Sequence, residues 1–362
     1  MLAKTDSAFE FHGNWRQFAP IAFTNLLLCI VTLGVYTFWA RTRERQYLWG
    51  QTRFIDERLQ WTGTGVELLI GYVIAIFLFG VPLGILNFGL QALAIRGYVV
   101  VAGLIGVSLY FAILYLGGVA IFRALRYRLS RTFWRGIRGG SSSQGLRYGL
   151  SYMWRTLAGS LCLGLLIPWS MTELWNMRWR EMSFGPLEFV SGARFEVLMK
   201  RFLLFYAVPF AAVFAAIVLI AAALSSGAKM PVPGGAPSEM GAAIALVVIG
   251  AYFAVIALLG LVAIFYYAAF FREAIGGLRL GGLEFAFKAR SWDWIKLALG
   301  NLALVVCTLG VGTIFLGYRN WKFFITHMEA YGEVHVDELT QSTTREPGQG
   351  EGLLDAFDVG AF

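Results

Sequence analysis

Residues Asn25 to Trp39, NLLLCIVTLGVYTFW, recur without gaps at Arg155 to Trp169, RTLAGSLCLGLLIPW, and again at Asn301 to Phe315, NLALVVCTLGVGTIF. Each stretch begins on a polar residue (Asn25, Arg155, Asn301) and passes through a small residue, a leucine and a glycine: Thr32-Leu33-Gly34, Cys162-Leu163-Gly164, Thr308-Leu309-Gly310. Each closes on an aromatic: Trp39, Trp169, Phe315. The run from Phe18 to Ala40 is apolar enough for lipid, but Gly34 divides it. The part before the break is about 15 residues, near 22 Å at helical rise and short of a roughly 30 Å hydrocarbon core. A segment that dips into the membrane and returns therefore competes with one that crosses.

Hydrophobic residues make up 58% of the 362 residues and charged ones 14%, with a mean hydropathy of +0.64, which places the chain among integral membrane proteins. The net charge of +8 sits between apolar runs, where it orients segments by the positive-inside rule; nucleic acid is not an expected partner. Met1 to Asn14 is polar and carries no cleavable signal pattern. Cys29, Cys162 and Cys307 lie in apolar segments without CxxC spacing, and His12, His327 and His335 are remote from them. Neither a metal site, a disulfide framework nor a cofactor is expected.

Outward from the motif, the chain reads as three units. Residues 1–122 form unit one, with motif segment 18–40 and a membrane hairpin at 65–122. Residues 123–271 form unit two, with motif segment 155–174 and a hairpin at 202–271. Residues 272–340 form a truncated third, with motif segment 295–316, followed by a linker and tail at 341–362. Arg123 to Arg155 contains eight arginines and no acid, which assigns it to the cytoplasm. If the motif segments crossed, the basic flanks at 175–201 and 272–296 would fall outside. If they re-enter, every basic flank and both termini are cytoplasmic, and four helices cross. Alternating segments near 9–13, 53–62, 130–138, 183–192, 279–290 and 332–338 predict a small cytoplasmic β layer. The expected fold is an α-helical polytopic membrane protein with internal repeats and that layer.

The Asn-x-Leu-Leu start, the Thr-Leu-Gly turn, the recurrence, the interleaved Trp and Arg and the terminal Gly352-Leu353-Leu354-Asp355-Ala356-Phe357-Asp358-Val359-Gly360 resemble the YjgN-like family of bacterial inner-membrane proteins. The resemblance covers nearly the whole chain. It implies a multi-pass bacterial inner-membrane location and supplies no activity, substrate or catalytic residue. The family's Pro-Trp after the turn persists as Pro168-Trp169; Phe38-Trp39 and Ile314-Phe315 stand in the other two places.

Candidate sites arise from the same features. Asn25, Thr32, Gly34, Gly164, Pro168, Asn301, Thr308 and Gly310 are candidate cavity or turn residues, since broken helices free backbone groups at membrane depth. A bend with hydroxyls bonded back to their own helix is the plainer reading. Arg41, Arg43, Arg126, Arg128, Arg131 and Arg178, interleaved with aromatics, are candidates for gripping anionic lipid headgroups, against the plainer reading of an interface belt. Glu67 and Glu173, near the membrane boundary, could be a paired base or proton carrier, although pairing with nearby arginines is the simpler account. GxSxG, HExxH, P-loop and dinucleotide fingerprints are missing from the sequence, so an enzyme is not expected. Two functions remain: transport or handling of a lipid or amphiphile, marked by a cavity lined by Asn25, Thr32, Thr308 and Asn301; or a scaffold whose β segments and tail (Leu353, Leu354, Phe357) recruit a cytoplasmic protein partner.

Overall fold

The computed structural model describes residues 8–225, 239–333 and 340–347. Strand β1 (Phe9–Phe11) leads into α1 (Trp15–Val31), which opens on Asn14, whose side chain accepts from the Arg16 N–H. The chain turns at Thr32–Gly34, and α2 (Thr37–Gly50) runs back so that β2 (Thr52–Phe54) pairs antiparallel with β1. β3 (Glu57–Arg58) and β4 (Gln60–Trp61) come next, and the chain then leaves the sheet again. The outward arm is α3 (Gly65–Ala75), a π segment (Ile76–Gly80) and α4 (Val81–Ile95); the return is α5 (Val99–Ser130). Pro82 has no N–H to donate and crowds the preceding turn, and the π segment absorbs it through the longer bond from the Val81 N–H to Ile76 O. α5 delivers β5 (Thr132–Trp134) beside β4.

The rest of the chain repeats these moves. β6 (Ile137–Gly140), α6 (Leu146–Leu161), α7 (Ile167–Arg180) and β7 (Ser183–Phe184) close with β7 on β6. β8 (Leu187–Ser191), α8 (Glu196–Phe202), α9 (Leu204–Ser225), α10 (Glu239–Gly276) and β9 (Leu278–Leu280) close with β9 on β8. β10 (Leu283–Phe287), α11 (Ser291–Cys307), a short 3-10 helix (Val311–Phe315), α12 (Leu316–His327) and β11 (Met328–Gly332) close with β11 on β10. Each helical excursion thus starts from one strand and ends on its antiparallel neighbour. All helices therefore stand on one rim of the sheet, and tight turns at Ile55, Arg135-Gly136, Gly185 and Gly281, all with positive φ, occupy the other.

The strands form a three-stranded sheet, β1-β2-β3, and an eight-stranded one, β11-β10-β9-β8-β7-β6-β5-β4. Only Leu59 separates β3 from β4, and its N–H still reaches Thr52 O. At the other end β1 meets the terminal strand β11, and the Phe9 ring lies 6.4 Å from that of Phe285 in β10. The sheet therefore curls round an interior. Inward residues alternate with outward charges along the strands, as the two-residue period requires. Leu278 and Leu280 point in and Arg279 out; Leu283 is buried and Glu284 exposed. Cross-strand ion pairs decorate the outside: Arg53 with Glu10 at 3.5 Å and Arg279 with Glu284 at 3.1 Å.

The three glycine-centred turns have one backbone shape. Leu33, Leu163 and Leu309 take φ 50°, 52° and 51°, and the following glycines 90°, 86° and 92°. In each, the glycine N–H bonds five residues back, to Cys29 O, Gly159 O and Val305 O, which ends the first helix in a Schellman cap. The Thr32 and Thr308 hydroxyls bond Leu28 O and Leu304 O and accept from the Tyr36 and Gly312 N–H groups. The turn leucines are 95%, 82% and 94% exposed. Among the described residues three stretches are long and apolar enough to cross a membrane: Val99–Ser130, Glu196–Ala215 and Val248–Gly276. The arm before α5 falls into shorter apolar helices at its π segment.

The β layer gains two segments. A strand at Met328–Gly332 joins the layer, its register set by pairing Met328 with Phe287 and Gly332 with Leu283, while most of the expected strand at 332–338 falls on residues 334–339, which lie outside the described ones. Residues 341–347, of linker-like composition, lie on the outer sheet: the Gln341 side chain accepts from the Arg138 N–H at 3.1 Å and donates to Gly136 O at 2.9 Å. The tail leucines and Phe357 lie outside the described residues.

The turn glycines give a clean test. An added Cβ at Gly310 would meet nothing within 4 Å, so Gly310→Ala carries only the conformational cost of a positive φ, about 1–2 kcal/mol. Thermal unfolding followed by tryptophan fluorescence should show a lowered midpoint for Gly310→Ala and for Gly34→Ala, and none of that size for Gly103→Ala in α5, where an added Cβ also meets nothing.

Candidate functional site

Curling the sheet under the helices leaves a chamber of about 260 Å³ between the strands and the feet of the helices. From the sheet it is lined by Phe9, Phe54, Trp134, Phe184, Phe189 and Phe285. From the feet of α2, α5, α7 and α12 come Trp49, Leu125, Trp175, Trp179, Trp321 and Phe324. These side chains converge because α2, α7 and α12 each run down into a strand, so the last turn of each helix faces inward over the sheet. Among the described residues Arg128 is the one charged group on the chamber wall. The Trp134 indole donates to Phe54 O at 3.0 Å and the Trp49 indole to the Thr132 hydroxyl at 2.9 Å, while the Trp179 N–H has no acceptor among the described residues.

A second pocket, of about 220 Å³, adjoins the chamber between α2, α5 and α12 and carries Arg41, Glu44, Arg45 and Asn320. Asn301 supports it from behind: its amide donates to Asn320 Oδ1 at 3.0 Å and accepts from Arg319 Nε at 2.7 Å. A third, polar pocket lies between α7, the turn after β7 and Thr343-Thr344.

Of the arginines singled out in the sequence, Arg41 and Arg128 meet at the second pocket. Arg178 is buried against Trp175, 5.4 Å from its ring. Burial presses its pKa below the ordinary arginine value; Tyr148 opposes this and Arg128 adds to it. The others go elsewhere. Arg43 donates to the Tyr36 hydroxyl, and Arg126, 2% exposed, donates to Ser143 O and Arg345 O. Arg131 grips both oxygens of Glu67 and also reaches Glu346.

Asn25, Thr32, Thr308 and Asn301 line none of these three pockets. The threonine hydroxyls are taken up within the turns, and the Asn25 amide bridges α1 to α2 through Ala40 O at 3.2 Å. Gly34 and Gly310 stand at open tips, Gly164 lies beside the Tyr206 hydroxyl, and Pro168 opens α7 under the Thr172 hydroxyl. Glu44, Arg45 and Trp321 were missed from sequence. The signal that could have found them is positional: Arg45, Trp175 and Trp321 each stand eleven residues after a turn glycine, and Trp49, Trp179 and Ile325 fifteen after.

Glu67 is a structural partner. It caps α3 with Thr64, accepts from the Tyr127 hydroxyl at 2.8 Å and pairs with Arg131, whose side chain is 12% exposed. Glu67→Ala should cost about 2–3 kcal/mol by leaving Arg131 and Tyr127 short of an acceptor, read as a lowered unfolding midpoint, with Glu67→Gln costing less.

A family model described as "bacterial protein of unknown function (DUF898)" matches residues 6–356. The inner membrane protein YjgN of Escherichia coli strain K12 is 29% identical over 72 residues, 20% of this chain and 18% of the relative, and YjgN of Escherichia coli O157:H7 gives the same figures. The chain thus aligns with less than a fifth of these relatives' length. No solved structure matches. With nearly all of its residues inside the matched region, the chain belongs to the DUF898 family of bacterial proteins of unknown function.

Proposed function

We propose that the protein is a multi-pass inner-membrane protein whose sheet faces the cytoplasm and whose chamber receives a lipid or other amphiphile. The location is carried over from the similarity to the inner membrane protein YjgN. The orientation is drawn from the basic flanks, which fall near the sheet, while the poorly charged tip at Arg96-Gly97 is on the far side. In this reading α3–α4, α5, α8–α9 and α10 cross, and the hairpins α1–α2, α6–α7 and α11–α12 re-enter, their exposed leucines in the acyl region. Because every hairpin returns to the rim it left, each basic flank stays on one side.

We further infer that the three hairpins are internal repeats that build the chamber. Positions eleven and fifteen after each turn glycine reach the chamber or the adjoining pocket in all three. Phe54 and Phe184, both twenty after, do the same.

The observation that carries the amphiphile reading is the chamber itself: nearly all apolar, with an arginine at its border. On a scale of about 24 cal/mol per Å³, filling it with hydrocarbon is worth on the order of 6 kcal/mol. A volume of 260 Å³ lies just under the roughly 300–1,000 Å³ of small-molecule sites and suits a short acyl segment.

Single cysteines at Arg135 and Gly281, in a protein freed of Cys29, Cys162 and Cys307, should react with a membrane-impermeant thiol reagent from the cytoplasmic side alone, and one at Arg96 from the outside alone. Labelling of a Leu163 cysteine from outside would defeat the re-entrant topology. Native mass spectrometry should find a retained amphiphile, and Leu129→Trp with Leu187→Trp, which fill the chamber, should lower the retained fraction; equal retention would count against the chamber as the site.

A further inference from the structure

The arm of α4 and α5 carries two polar side chains far from the chamber. α4 packs against α5, none of its residues is buried, and Ile85, Leu86 and Phe88 are 67%, 44% and 74% exposed. Such a surface suits lipid. On it stand Asn87 and Gln91, one helical turn apart and both exposed, with the Gln91 amide donating to Asn87 Oδ1 at 2.8 Å. That bond brings the two amides to one level, about 13 Å at helical rise below the tip at Arg96. In the membrane-crossing reading of α3–α4, on which this inference rests, that level is inside the hydrocarbon of the outer leaflet.

The bond between the amides leaves each of them half satisfied. The Asn87 Nδ2 donors and the Gln91 Oε1 acceptor have no partner among the described residues. Were both amides turned over, the result would be the same in kind: a donor left on one and an acceptor on the other. Water would meet them in a soluble protein, but hydrocarbon does not, and unmet polar groups are costly there.

A spare donor beside a spare acceptor is self-complementary. A twofold axis along the membrane normal brings the Asn87 amide of one copy to the Gln91 carbonyl of another and, by the same operation, the reverse. Both copies keep the same orientation in the bilayer. Gly84, three residues before Asn87 and on the same face, presents no side chain to hold two such helices apart, and an added Cβ there meets nothing within 4 Å of its own chain.

We propose that Gly84, Asn87 and Gln91 of α4 form a transmembrane interface between two copies of this chain, closed by a reciprocal pair of amide hydrogen bonds. A second copy is the fitting partner because it supplies the missing acceptor and donor at the same depth by symmetry, whereas an unrelated helix must carry both at that level by coincidence.

The test uses the full chain, freed of Cys29, Cys162 and Cys307, in proteoliposomes. Energy transfer between donor-labelled and acceptor-labelled Arg135→Cys protein should report a dimer that dissociates on dilution with lipid. Asn87→Leu combined with Gln91→Leu should move the half-dissociation point about tenfold toward higher protein density, and Asn87→Gln, which keeps an amide, should move it much less. Leucines suit lipid at least as well as amides, so the double variant inserts, and outside labelling of Arg96→Cys in the same background checks this. Gly84→Cys should oxidise to a linked dimer of twice the chain's mass, and Phe88→Cys, about 100° further round the helix, should not. A monomer at every density, with Arg96→Cys labelled from outside, would overturn the interface. So would a dimer indifferent to the two leucines. Gly84→Cys linked to a chain of another mass would overturn the second copy as partner. Labelling of Arg96→Cys from the cytoplasmic side would instead overturn the crossing of α3–α4, and the interface with it.

Discussion

The structure depends on antiparallel backbone pairing between the strand that precedes each helical excursion and the strand that succeeds it. Five such pairs, β1 with β2, β4 with β5, β6 with β7, β8 with β9 and β10 with β11, return the chain to the rim from which it departed. Strands this short are marginal alone; β3, β4 and β7 hold two residues each. They are held by being consecutive members of one curled sheet and by the aromatic layer above them. That pairing also puts every basic flank on one side.

Above the sheet, packing is dominated by rings. Trp175, Phe270, Phe287, Phe323 and Phe324 belong to one buried cluster, and Phe18, Trp49, Trp61 and Tyr318 to another. Rings bury large areas with few rotatable bonds, which suits a layer that must meet lipid-facing helices on one side and a charged sheet on the other. The same rings do not close completely over the middle of the sheet, and the chamber is the result. Its polar neighbour arises because α2 and α12 bring Arg41, Arg45 and Asn320 together with Arg128 of α5. An apolar space and a polar one therefore share a wall by construction of the fold.

The sequence alone determined the class of molecule and the places where the chain turns. Composition and apolar length point to the membrane because no water-soluble core of this size needs so many apolar residues. Gly34, Gly164 and Gly310 were legible as breaks because a positive φ costs glycine little, and the strands near 9, 53, 132, 183 and 279 were legible through their alternation. Those are local properties, written within a few residues of each other. The strand at 328–332 was not legible because its register is set by long-range pairing with Leu283–Phe287.

Tertiary structure decided what local pattern cannot encode. The stacking of Trp49 on Trp321 joins residues far apart in the chain, and either ring by itself reads as one more interfacial tryptophan. Arg128 and Arg131 look alike in sequence, three positions apart on a basic stretch. The rotation of α5 gives Arg131 to Glu67 and places Arg128 on the chamber border. The turn threonines drew attention as polar groups at membrane depth, but their own helices satisfy them, whereas the chamber forms where the helices end, from side chains that sequence treats as ordinary aromatic filler. A site assembled from the last turns of separate helices has no contiguous motif, so its existence is fixed only by how the sheet curls beneath them.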